Sequence, residues 1–124
     1  MTTKKEFLKN KISNVSEFET FELEAKIEHG SYKKVFRRIK FKGNKILFFE
    51  DEGSSGSWWG WTIYLTDKKK FVVFEEEFTG GYVSKYETFI NVFSNIEDLI
   101  EYMEKYYQLS FNSELYKRGY YEEV

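Results

Sequence analysis

The chain has no cysteine and a single histidine. Without cysteine there are no disulfides, thiolate metal sites or cysteine nucleophiles, and a reducing cytosol is the simplest home. His29 stands beside Gly30 in an expected turn, with no second histidine to share a metal ion, and reads as a surface turn residue. No glycine-rich phosphate loop, nucleophile elbow or dinucleotide fingerprint occurs. Long apolar runs are also missing. The start, MTTKKEFLKNKIS, is basic but too interrupted for a signal peptide, and no stretch is long enough to span a bilayer. The sequon Asn14-Val15-Ser16 therefore reads as chance. A net charge of -2 creates no global field to draw in nucleic acid or an anionic membrane. These absences leave the expectation of a cytoplasmic protein with no cofactor, no metal and no catalytic set, whose partners include neither nucleic acid nor membrane.

Aromatic side chains are what the sequence has in excess. They make up 21% of its 124 residues, and 41% of the chain is hydrophobic, enough for one domain (1–124) with a sheet-based core. The richness in Lys, Glu, Asn, Ile, Phe and Tyr is what AT-rich coding produces and points to an accessory bacterial gene.

The expected architecture is α+β: a six-stranded, mostly antiparallel meander sheet with an N-terminal helix and one or two C-terminal helices. Thr3-Lys4-Lys5-Glu6 has capping-box spacing and Leu8, Ile12 and Val15 form an apolar stripe, with Phe7 beside it. From Phe21 the period becomes two. Pairing around His29-Gly30-Ser31 sets Ile27 against Val35, Leu23 against Ile39 and Phe21 against Phe41, and the same register opposes Glu28, Glu24 and Glu22 to Lys34, Arg38 and Lys40. Gly43-Asn44 reads as a two-residue hairpin turn that aligns Phe41 with Ile46 and Arg37 with Glu50. Strands at Trp58–Thr66, Phe71–Phe78 and Tyr82–Phe93 follow, registered so that Leu65 meets Val72, Trp61 lies beside Glu76, and Glu76 beside Lys85. Ser94-Asn95-Ile96-Glu97 is a second capping box. It opens a helix striped by Ile96, Leu99, Ile100, Met103 and Tyr107. A short helix over Ser113–Arg118 stops at Gly119, and Tyr120–Val124 is expected to be an exposed acidic tail.

The focus of the chain is Asp51 to Trp61, DEGSSGSWWGW, an acidic, flexible segment leading into three tryptophans. In a meander the His29 turn, the Gly53–Ser57 loop and the Gly80-Gly81 turn share one rim. That rim carries Glu28, and the candidate partner-binding residues Asp51, Glu52, Trp58, Trp59, Glu76 and Glu77. Lys42, Lys45, Lys68, Lys69 and Lys70 fall at the opposite rim. The bland alternative makes Trp59 and Trp61 core and the carboxylates a solvated edge. The same registers align Arg37, Glu50, Trp61, Glu76 and Lys85 in one row, either a possible ligand cleft or a structural ion-pair network. Tyr106, Tyr107, Tyr116, Tyr120 and Tyr121 fit packing of the terminal helix better than a nucleic-acid stacking platform.

The capped final helix FSNIEDLIEYMEKYY after a sheet, together with the acidic tryptophan rim, resembles the cytosolic immunity proteins that neutralise toxins of interbacterial competition. The resemblance implies a stoichiometric inhibitor of a cognate, basic, nuclease-type toxin, with Asp51, Glu52, Glu76 and Glu77 opposing basic residues and Trp58 and Trp59 filling pockets. It transfers no residue by alignment. The alternatives are a phage-encoded inhibitor of a bacterial defence nuclease, which would use the same surface, and a small-molecule or carbohydrate-binding domain built on the Trp61 row.

Overall fold

A computed structural model describes residues 2–53 and 56–124, so Ser54 and Ser55 of the expected Gly/Ser hinge lie outside the described residues. Among these residues the chain forms α1 (Lys4–Ser13), β1 (Glu19–His29), β2 (Tyr32–Glu52), β3 (Trp58–Thr66), β4 (Phe71–Thr79), β5 (Lys85–Phe93) and α2 (Ile96–Lys117). The strands pair antiparallel in chain order and close into a barrel through β1 and β5.

There are five strands rather than six, because Gly43-Asn44 is not a turn. The chain runs through it as one 21-residue strand, β2, whose first half pairs with β1 and second half with β3. Gly43 faces Glu19 on one side and Thr66 on the other. A Cβ on it would lie 2.8 Å from the Phe41 ring and 2.9 Å from the Leu65 carbonyl oxygen. Glycine serves here for close approach at a barrel corner, not for a positive φ. Asn44 donates its side-chain N–H to the Glu17 carbonyl, 3.1 Å away, instead of turning the chain.

Two bulges complete the curvature. The expected β1–β2 register holds from Phe21–Phe41 through Glu24–Arg38 to Ala25–Arg37, and then slips by one residue so that Lys26 faces Val35 and Ile27 faces Lys34. Phe36 is the extra residue, exposed and overlain by Lys34. In β2–β3 the extra residue is Ile46. Both Ile46 and its neighbour Leu47 therefore enter the same core.

The Asp67 turn is one residue tighter than expected. Thr66 and Lys70 close it, with the Thr66 N–H on the Lys70 carbonyl at 2.8 Å, and Lys69 adopts a left-handed φ of 61°. Leu65 therefore meets Phe71, Ile63 meets Val73 and Trp61 meets Glu75, not Glu76. Past the Gly80-Gly81 turn, Glu76 faces Thr88, whereas Lys85 begins β5 opposite Thr79.

This register sorts the pleat into two cores. Tyr64, Val72 and Ile90, with Phe21, Leu23, Ile39, Phe41 and Phe74, fill the barrel. Leu47, Trp61, Ile63, Leu65, Phe71 and Val73 face outward and are covered by Leu8 of α1 and Leu99, Met103, Phe111 and Leu115 of α2. Thr3 caps α1 as expected, accepting from the Glu6 N–H at 3.1 Å. In α2 the cap is Asn95, not Ser94: its side chain accepts from the Asp98 N–H at 2.8 Å. The expected short terminal helix is the end of α2, which kinks at Tyr107. Gly119, at φ 103°, closes it with paired bonds from Gly119 N–H to Tyr116 and from Tyr120 N–H to Leu115, both 3.1 Å. Tyr120 is thereby drawn into the core, so only Tyr121–Val124 remain as an exposed tail.

Candidate functional site

The ends of β3, β4 and β5 meet the kink of α2 around a cleft of about 400 Å³, lined by residues that include Trp59, Glu75, Glu77, Phe89, Tyr106 and Tyr107. Alternation along the strands explains the grouping: Trp59, Glu77, Glu75 and Phe89 all fall on the face that α2 covers. The Ser57 loop forms the rim, with its hydroxyl accepting the Gly80 N–H at 2.9 Å and its carbonyl the Gly53 N–H at 2.6 Å.

Glu75 anchors the deep end. It is 6% exposed and makes no ion pair with a lysine or arginine among the described residues. Its charge is met by hydrogen bonds instead. One oxygen accepts from the Tyr102 hydroxyl at 2.5 Å and the Tyr107 hydroxyl at 2.6 Å, the other from the Asn91 amide at 2.7 Å, and that amide also donates to the Tyr102 oxygen at 3.1 Å. Burial, and then the bonds to Glu75, push the pKa values of both tyrosines up. Both hydroxyls stay protonated donors, and the carboxylate is fixed in place.

The kink serves this arrangement. Tyr107 leaves helical geometry (φ -139°, ψ 34°), its ring stacks on Trp59 at 5.8 Å and its hydroxyl reaches Glu75. Its carbonyl accepts from the Ser110 hydroxyl at 3.2 Å, and the Ser110 oxygen in turn accepts from the Trp61 indole at 2.9 Å. Phe89 and Tyr106 stand at the cleft mouth, 46% and 58% exposed.

The predicted site residues separate. Trp58, Trp59, Glu76 and Glu77 all border the cleft, but the pleat turns Trp58 and Glu76 toward the barrel side. There Trp58 stacks on Phe78 at 6.1 Å, and Glu76 accepts from the Tyr86 hydroxyl at 2.6 Å. Asp51 lines a neighbouring hollow with Leu109 and Gln108, on the other side of Trp59 and Tyr107. Glu52 is exposed opposite Trp58, outside both. The row of Arg37, Glu50, Trp61, Glu76 and Lys85 is not formed. Trp61 is 1% exposed beneath α2, Arg37 faces Ala25, Glu50 faces Gly60, and Lys85 pairs with Glu87 at 2.5 Å. His29 faces Tyr32 and Lys85 at the exposed barrel end.

Glu75 was missed by sequence reasoning because the misjudged Asp67 turn put Glu76 beside Trp61, and Phe89 and Asn91 because the expected Gly80-Gly81 register put Lys85 rather than Thr88 beside Glu76. Among the described residues no group of three or more His, Asp or Glu side chains is placed to hold a metal ion. None of their helices is long and apolar enough to cross a membrane. No family model matches the chain, and no curated protein or solved structure matches it.

Proposed function

We propose that this is a non-catalytic binding protein that inhibits a basic protein by stoichiometric contact through the cleft, as the immunity proteins it resembles do with nuclease-type toxins. One observation carries the reading. Glu77, with Glu75 buried at the deep end, lies in the lining with Trp59, Phe89, Tyr106 and Tyr107, and no lysine or arginine is in that lining, Lys105 resting over the Tyr106 ring at 5.3 Å. Aromatic faces and a carboxylate are what a lysine or arginine side chain needs on leaving water, and exposed aromatics beside a pocket are the usual anchors of a protein interface. Phe89 and Tyr106 supply such anchors at the cleft, and the exposed aliphatic Leu109 adds apolar surface at the adjoining hollow. The small-ligand alternative was tied to the Trp61 row, which the observed registers do not form.

The test is affinity capture from the source lysate, washed at low and high salt, with wild type run beside Glu77→Gln and Phe89→Ala. A basic partner held in equal amount by wild type, released by salt and lost from both variants is the expected result. A partner retained equally by all three proteins refutes the assignment to this cleft.

A further inference from the structure

The other end of the barrel carries a second site of opposite charge. Val92 of β5 is in register with Val72 of β4, so both side chains point to the barrel interior. Val72 is 2% exposed, yet Val92 is 40% exposed. The barrel is filled at Val72 but its mouth at Val92 is open to solvent, and the pairing of β1 with β5 explains why. It covers only Ile27–His29 against Lys85–Glu87. Beyond it the Thr88 hydroxyl takes the place of a ladder step, donating to the Glu24 carbonyl at 2.6 Å and accepting from the Lys26 N–H at 3.0 Å. Thr20 of β1 and Val92 of β5 then line opposite sides of one cavity of about 440 Å³.

The floor of this cavity is apolar: Ile39, Phe41 and Val72 line it, and Phe41 packs in turn on Phe21 and Tyr64 with ring centroids 4.8 to 5.7 Å apart in the triad. Its rim is cationic, with Lys40, Lys42, Lys68 and Lys70 against Asp67 alone. Lys40 lies 3.5 Å from Glu22, whereas Lys42, Lys68 and Lys70 form no ion pair among the described residues. An apolar floor under a cationic rim is complementary to one kind of small ligand. We propose that this mouth binds an amphipathic anion, a free medium-chain fatty carboxylate, with its chain on Ile39, Phe41, Val72 and Val92 and its carboxylate among Lys42, Lys68 and Lys70. Snorkelling lysine stems cover the upper part of the chain while their ammonium groups meet the acid.

The probe is sodium decanoate, kept below its micelle concentration and titrated against the isotopically labelled full chain by NMR, with decanol and decyltrimethylammonium as comparators. Saturable shifts confined to Thr20, Ile39–Lys42, Thr66–Val72 and Val92 are expected, with decanoate at least about tenfold tighter than decanol. Lys42 and Lys70 are exposed, so Lys42→Gln with Lys70→Gln leaves the fold intact and should remove most of that preference while decanol binding stays. Val92→Asp should weaken both ligands. Equal affinity for decanoate and decanol, shifts centred on the acidic end, or no saturable binding overturns the proposal.

Discussion

Removing one oxygen atom, by Tyr107→Phe, tests how the cleft is held. The ring and its stack on Trp59 remain, but one of the two hydroxyl bonds to the Glu75 Oε1 atom is lost. A hydrogen bond to a charged, buried group contributes roughly 1.5–3 kcal/mol, and removing one donor leaves part of that carboxylate's charge unmet. With Tyr102 and Asn91 still bonded, the loss should be about 2 kcal/mol. Urea unfolding followed by tryptophan fluorescence would show it as a lower midpoint at unchanged slope. Tyr106→Phe is the control: that side chain is exposed at the cleft mouth, and its change should stay within about 0.5 kcal/mol. Tyr102→Phe added to Tyr107→Phe should cost more than the two single losses together, since each hydroxyl partly compensates for the other. A Tyr107→Phe loss below about 0.5 kcal/mol, no larger than the control, would refute the claim that hydrogen bonds rather than water satisfy Glu75.

Three further outcomes follow from the same contacts. Gly43→Ala should destabilise by about 1–3 kcal/mol in thermal or urea unfolding, because its Cβ would meet the Leu65 carbonyl at 2.9 Å; a turn glycine exposed to solvent would show no such clash. Ser110→Ala leaves the buried Trp61 indole N–H without its acceptor and should cost roughly 1–3 kcal/mol, read as a lower urea midpoint. Burial and then carboxylate bonds raise the pKa values of Tyr86, Tyr102 and Tyr107 above that of the unfolded chain. Their contribution to stability is therefore complete below about pH 10 and falls as pH rises beyond it, by up to about 1.4 kcal/mol per pH unit for each. Tyrosinate absorbance should accordingly rise in two stages, the later one coinciding with loss of the fold.

Where two independent signals agreed, the fold was legible. The register from Phe21–Phe41 to Glu24–Arg38 matched apolar faces and charge pairs at once, and the structure has it, with Arg38 to Glu24 at 2.6 Å. Beyond Ala25 the bulge left no mark, since Phe36 is as apolar as the residues that point inward. Gly43-Asn44 fits a tight turn and a barrel corner equally, and only the neighbouring Phe41 ring and Leu65 carbonyl decide between them. The Asp67 turn hides its length because Lys69, a side chain that normally avoids positive φ, takes the left-handed position. That single residue put Glu75 rather than Glu76 opposite Trp61. The unbroken β2 strand separated Arg37 from Glu50, and the Gly80-Gly81 register set Glu76 against Thr88 instead of Lys85, so the Trp61 row was lost at three places. Asn95 and Ser94 are both good caps, so composition alone left the start of α2 one residue adrift. The acidic tryptophan rim was visible as a cluster. Its division between two faces depended on the register and was not.

The most direct measurement of the cleft's role is an NMR titration of the full chain with a short arginine-containing peptide, repeated with an otherwise identical peptide carrying citrulline, at low and at high salt. Shifts at the Trp59 indole and the amides of Glu75–Phe78 and Tyr106–Tyr107, weakened by salt and absent with citrulline, are the expected result. Shifts of equal size with both peptides, or none at those residues, would contradict the assignment of the cleft as a cation-accepting interface.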